Sequence, residues 1–230
     1  MATVQNHLIT RLPRKEQLRL LAICEPVQLT LSEVLCEPGS TTTHVYFPTG
    51  SFISLVALLD GTPGVEVGMI GREGMLGAQL VLGVVTAPLH ALVQGAGAAW
   101  RVRTALFRKE LARSDALRRS LNRYLYVLMA QQAASAACLR FHLIGPRLAR
   151  WLLMTQDRAQ SDSFHVTQAF LAYMLGVRRV GITAAAGSLQ RSGLIEYQRG
   201  EFKVLDRTGL EAAACSCYAD GQASYAQLLN

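Results

Sequence analysis

The sequence predicts an α+β chain with three successive parts: an antiparallel β-roll, a long central helix, and a C-terminal helix-turn-helix that ends in a β-hairpin wing. Three observations carry this expectation. Short alternating apolar stretches cornered by glycine fill residues 27–100. Neither Gly nor Pro occurs from Ala98 to Ile144. From Thr167 onward, a cap, a glycine turn and a second apolar face follow one another at helix-turn-helix spacing. The expected domain boundaries are 1–110 for the roll, 111–144 for the helix and 145–230 for the last domain.

The roll reads in order. "VQLTLSEVLCEPGS" alternates apolar positions and ends in a Pro-Gly turn. "HVYFPTGSFISLVALLDGTPGVEVGMIG" continues with short stretches punctuated by Thr-Gly, Asp-Gly, Pro-Gly and Ile-Gly. Strands of this length with glycine at the corners suit a closed antiparallel roll.

The helix follows. From Asp115 the composition is strongly helical, and Leu117, Leu121, Tyr124 and Leu128 recur at spacings of four, three and four. That is a heptad stripe, so these four residues are the expected dimer interface. About 27 residues at about 1.5 Å each give a rod of roughly 40 Å. Gly145-Pro146 is the expected hinge.

The last domain carries the chemistry. Thr167 is a candidate N-cap, and Leu171, Ala172 and Leu175 are the inward face of the first helix. Gly176 stands where the turn needs a left-handed backbone. A second helix over about 177–191 is held down by Val177, Ile182 and Ala185, leaving Arg178, Arg179, Val180, Thr183 and Ala184 outward. Arginines there can pair with guanine edges or phosphates, and Val or a Thr methyl can pack on thymine. The candidate DNA-binding set is Thr167, Gln168, Arg178, Arg179, Val180, Thr183, Ala184 and Arg199. Arg199 lies at the tip of a hairpin, "GLIEYQRGEFKVLD", with Gly200 as its turn residue.

Bulk properties bound the alternatives. The net charge is +7, with 14 basic against 9 acidic residues in 1–145 and 9 against 7 in 146–230. A polyanionic partner is compatible with that balance, but the charge locates no site, and much of the excess in 101–123 suits a solvated surface. Uninterrupted apolar runs such as Leu55–Leu59 are far too short to span a bilayer, and the N-terminus lacks a signal-peptide core, so a cytoplasmic location without membrane contact is expected. His7, His44, His90, His142 and His165 are dispersed, with no HxH, HExxH, GxSxG or P-loop pattern, which argues against a cupin-type metalloenzyme or any other enzyme. The five cysteines, Cys24, Cys36, Cys138, Cys215 and Cys217, contain no CxxC pair. Reduced structural thiols are therefore expected, with no metal site and no iron–sulfur cluster, although Cys215 and Cys217 are close enough for redox chemistry.

Taken together, "HVYFPTGSFISL", "VGMIGREGMLGAQLVLG", "FHLIGPRLARWLL" and "LAYMLGVRRVGITAAAGSLQRSGLIEYQRGEFKVLDRTGLE" resemble the Crp/Fnr family of bacterial transcription regulators over almost the whole chain. The resemblance implies a cyclic-nucleotide-binding-like roll, a homodimer joined through the central helix, and a winged helix-turn-helix on palindromic double-stranded DNA, with RNA polymerase as a candidate partner. It also implies an effector in the roll, around Gly77, Ala78, Pro88, Leu89 and His90.

The chain departs from the cyclic-nucleotide pattern of that family. Gly77 is followed by Ala78 where nucleotide binders have Glu, and Pro88-Leu89 or Leu89-His90 occupy the Arg-Ser place. No arginine lies between Glu73 and Ala99, so a buried cyclic phosphate would lack a cation. Cyclic AMP is not expected as the effector, whose identity the sequence leaves open. A haem would need only one His or Cys ligand and is left open as well. The rival reading is an effector-sensing protein-interaction module without specific DNA binding, using the basic segment 101–123.

Overall fold

The computed structural model describes residues 5–60 and 64–229. The expected turn through Gly61 and Pro63 and the residues at the very start of the chain lie outside them. Packing divides the chain into two compact units: residues 5–55, 69–129 and 228–229 form one, and 56–60, 64–68 and 130–227 the other. The units meet inside the long helix at 129/130 and also after residues 55 and 68.

The first unit is built on the roll. Two short helices, α1 (His7–Thr10) and α2 (Arg14–Leu21), precede strands β1 (Glu25–Leu29), β2 (Val34–Cys36), β3 (His44–Pro48), β4 (Phe52–Ala57), β5 (Val65–Ile70), β6 (His90–Gly95) and β7 (Gly97–Arg103). They make a three-stranded sheet ordered β1-β7-β3 and a four-stranded sheet ordered β2-β6-β4-β5. Strand β7 pairs antiparallel with both neighbours, setting Arg101 opposite Glu25 on one side and Tyr46 on the other. Val45, Phe47, Ile53, Val93, Val102 and Phe107 are fully enclosed. Asn6 closes the bottom: its side-chain amide donates to the carbonyls of Pro48 (3.0 Å) and Gly74 (2.7 Å).

Helix α3 (Thr104–Arg113) leads into α4 (Asp115–Phe141), whose 27 residues begin where composition predicts. The Ser114 hydroxyl accepts from the Leu117 amide at 3.0 Å, satisfying one of the donors a helix start leaves open. The heptad stripe corrects the expected dimer interface. Leu117, Leu121 and Tyr124 are buried by their own chain, and Leu128 is half-buried. Tyr124 lies over Gly74, where a Cβ would fall 2.1 Å from the phenol oxygen, and donates to the Met75 carbonyl at 3.3 Å. On the opposite face Tyr126, Met129, Ala133 and Ala136 are exposed, at spacings of three, four and three.

The second unit contains α5 (Ile144–Ala159), β8 (Ser163–His165), α6 (Gln168–Leu175), α7 (Arg179–Arg191), β9 (Ile195–Gln198), β10 (Glu201–Val204), α8 (Arg207–Ala213) and α9 (Cys217–Leu229). The break between α4 and α5 is at His142 and Leu143, so Gly145-Pro146 is not the hinge. Pro146 sits in the first turn of α5, where its missing N–H is one that a helix start leaves unpaired anyway. Among the described residues no single helix is long and apolar enough to cross a membrane.

Candidate DNA-binding site

Helices α6 and α7 meet at 108°, within the range of a helix-turn-helix. The Thr167 hydroxyl caps α6 by accepting from the Phe170 amide at 3.1 Å. At the other end Gly176 adopts φ +61°, a left-handed conformation that costs any Cβ-bearing residue more. The second helix starts at Arg179, two residues later than expected, because Arg178 is extended at φ −73°, ψ 144°. Leu171, Met174 and Ile182 are sealed inside, with Ala172, Leu175, Ala185 and Leu189 around them.

That packing exposes Arg178, Arg179, Val180, Thr183 and Ala184, and Val180 is 73% accessible despite being apolar. Gln168, at the first turn of α6, joins them: its Oε1 accepts from the Thr183 hydroxyl at 2.6 Å. Gly181 is explained by the neighbouring helix, since a Cβ there would stand 2.8 Å from Ile144 Cδ1 at the start of α5.

The wing is a three-stranded sheet ordered β8-β10-β9. Phe202 opposes Tyr197 and Val204 opposes Ile195, with the Tyr197 and Phe202 rings 4.2 Å apart. Arg199 (φ +52°) and Gly200 (φ +89°) are the two central residues of the hairpin, the pair of positive φ angles that a type I′ turn requires. Arg199 is exposed at the tip, and the Gln190 side chain of α7 accepts from the Tyr197 amide at 2.9 Å, fixing wing to helix.

Two groups escape the sequence reading. Arg147 is buried and donates from Nη2 to the Leu175 carbonyl, one of the orphan acceptors at the end of α6. Arg207 binds Asp157 (2.8 Å), Gln156 (2.9 Å), Glu211 (2.9 Å) and the Tyr218 hydroxyl (2.7 Å), tying α8 and α9 to α5. Burial and the adjoining Asp157 push the Tyr218 phenol up to about 12. The Arg147 bond to Leu175 and the Arg207 bonds to Gln156 and Asp157 span 28 to 51 residues, so only the Arg207–Glu211 pair, four residues apart, is a local pattern.

The expected effector residues lie in the roll. Gly77 takes φ +96° and packs against Val45, starting a 3-10 turn over Ala78–Leu82 in which Ala78 is buried. His90 opens β6 and is held by Glu37, Nδ1 to Oε2 at 2.8 Å. Pro88 is exposed and Leu89 half-buried.

Residues 146–213 match the Crp-like helix-turn-helix domain family. A CRP-family transcriptional regulator from Thermus thermophilus superposes with TM-score 0.67 at 19% identity, over 82% of this chain and 96% of its own. A second regulator from that organism, of the CRP/FNR family, gives 0.64 at 20%, over 83% and 98%. The c-di-GMP-responsive global regulator CLP of Xanthomonas campestris gives 0.63 at 16%, over 84% and 99%. At these identities the likeness is one of fold. No curated relative matches the chain. Residues 146–213 thus form a Crp-like helix-turn-helix domain, and the chain as a whole shares the fold of these Crp/Fnr regulators.

Proposed function

We propose that the chain acts as a homodimer on a two-fold symmetric operator, with α7 in the major groove and an effector other than cyclic AMP in the roll. One observation carries the DNA reading: a 108° helix-turn-helix leaves Arg178, Arg179, Val180, Thr183 and Ala184 on one open face, all without a role in the domain's own core. Arg179 at the first turn is the residue to read a guanine, and Val180 is suited to a thymine methyl. Gln168 and Arg199 flank that face as phosphate ligands.

The dimer reading rests on the outer face of α4. Tyr126 and Met129, 62% and 68% exposed, continue into Ala133 and Ala136 with coiled-coil spacing. A parallel or crossing copy would cover them and set two recognition helices about one DNA turn apart. The effector reading rests on chemistry. Ala78 supplies no carboxylate for a ribose, and His90 is engaged by Glu37.

A selection from random duplex DNA, with and without cyclic AMP, tests this function. A palindrome enriched without nucleotide is the expected result. The Arg179→Ala chain should bind that palindrome weaker by about 1–3 kcal/mol and lose preference at one base per half-site. Enrichment only with cyclic AMP would overturn the effector reading. Unchanged binding by Arg179→Ala would overturn the assignment of α7.

A further inference from the structure

The second unit gathers Cys138, His142, Cys215 and Cys217 into one cluster, with their ligand atoms all within 4.8 Å of one another. Cys138 Sγ is 3.6 Å from Cys215 Sγ, and Cys217 Sγ is 3.5 Å from His142 Nδ1. We propose that these four side chains form a tetrahedral site for a single zinc ion, which locks the C-terminal segment onto the end of the long helix. The site stands apart from the DNA reading and needs none of its residues.

The distances suit a single tetrahedral ion, and the donor set points to zinc. Zinc holds sulfur at about 2.3 Å and imidazole nitrogen at about 2.0–2.1 Å, so a tetrahedral site spaces two sulfurs about 3.8 Å apart and a sulfur and a nitrogen about 3.5 Å apart. The Cys138–Cys215 separation of 3.6 Å and the Cys217–His142 separation of 3.5 Å lie close to those values. A polynuclear iron–sulfur cluster distributes its ligands over several irons and pushes the protein sulfurs farther from one another. Three thiolates and an imidazole are also the soft, nitrogen- and sulfur-only set that closed structural zinc sites use.

The backbone presents the set in advance. Cys138 and His142 are four residues apart at the end of α4, so they share a face, and the His142 amide bonds to the Cys138 carbonyl at 3.1 Å. Cys215 is anchored through its own amide to the Pro146 carbonyl at 3.3 Å, which brings Cys217 in at the start of α9. Cys138 and Cys215 are buried, while His142 and Cys217 are half-buried and leave a way in. Three thiolates with one divalent ion carry a net charge of minus one. Arg150 answers it: its Nη1 lies 3.9 Å from Cys138 Sγ, while its Nη2 donates to the Ser135 hydroxyl at 3.3 Å.

The placement gives the ion a task. Two ligands precede the Crp-like domain of residues 146–213 and two follow it. One ion therefore ties the chain entering the domain to the chain leaving it, the geometry in which a cross-link restrains the unfolded chain most.

The test uses the full chain purified under reductant, with metals counted by mass spectrometry. One zinc per chain is expected, and cobalt(II) reconstitution should give the intense visible bands of a tetrahedral thiolate site. Cys217→Ser and His142→Ala should lose the metal, His142→Cys should keep it, and the control Cys24→Ser/Cys36→Ser should retain full occupancy. Removing zinc from the native chain with a chelator should lower its melting temperature and speed amide exchange in α9, which reads the lock without any variant having to fold. A folded, reduced chain that takes up neither zinc nor cobalt at micromolar concentration would overturn the proposal. So would stoichiometric cluster iron, or a Cys138–Cys215 disulfide in a parallel preparation made without reductant.

Discussion

The Thr183 hydroxyl on α7 donates to Gln168 Oε1 on α6 at 2.6 Å, with the Arg179 carbonyl as a second acceptor at 3.2 Å. The bond crosses the exposed face of the helix-turn-helix and engages the Gln168 carbonyl oxygen, so the NH2 group is the part of this side chain that the proposed phosphate contact would use. Thr183→Val keeps the shape and removes the donor. Because the site is exposed, folding stability should change by no more than about 1 kcal/mol. Operator affinity should fall, and a double-mutant cycle with Gln168→Ala should give a coupling of about 0.5–1.5 kcal/mol. Strict additivity would mean that the hydroxyl acts on DNA alone.

At the wing tip, Arg199 holds φ +52°, a region that Asn tolerates better than Arg. Arg199→Asn should therefore fold at least as stably as the native chain. Having lost a phosphate cation, it should bind all DNA sequences more weakly and flatten the slope of log affinity against log salt by about one. Binding titrations at several salt concentrations measure the slope directly. A change confined to one base position would instead make Arg199 a reader of sequence.

Arg147 predicts the reverse pattern, a stability effect without a DNA contact. Its buried guanidinium satisfies the Leu175 carbonyl at the end of α6, beside the Gly176 turn. Arg147→Met fills much of the volume but leaves that carbonyl unpaired, which should cost about 1–3 kcal/mol in thermal or denaturant unfolding. Affinity of the remaining folded protein should be nearly native.

How far the sequence reveals these sites depends on the range of the interaction. The cap at Thr167, the left-handed Gly176 and the outward arginines follow from local rules, and the structure has each in the expected conformation. The start of α4 at Asp115 is equally local, set by Ser114 and a run free of Gly and Pro. Gly145-Pro146 misleads because Pro is both a helix breaker and an acceptable first-turn residue. The four clustered Cys and His side chains are invisible in sequence for a different reason. Cys138-x3-His142 and Cys215-x-Cys217 are each unremarkable, and only the packing of α9 against the end of α4 joins them across more than 70 residues. Arg147 and its carbonyl are likewise a tertiary pair.

The long helix shows the same limit in its sharpest form, and yields the last prediction. A heptad stripe reports that a face is covered, not by what, and Leu117, Leu121 and Tyr124 are buried within their own chain, with Tyr124 bonded to Met75. Leu121→Ala should behave as a core truncation, losing about 2–5 kcal/mol of stability while the surviving folded protein keeps its association state. Met129→Glu should do the opposite. Its side chain is exposed in the single chain, so the protomer should fold normally, but a carboxylate in the centre of an apolar helix pairing has no partner and must be desolvated. Sedimentation equilibrium should then show Met129→Glu as a monomer and Leu121→Ala as a dimer, and operator binding should collapse only in the first, because a single recognition helix reads one half-site. A dimeric Met129→Glu would place the interface on some other face of the protein.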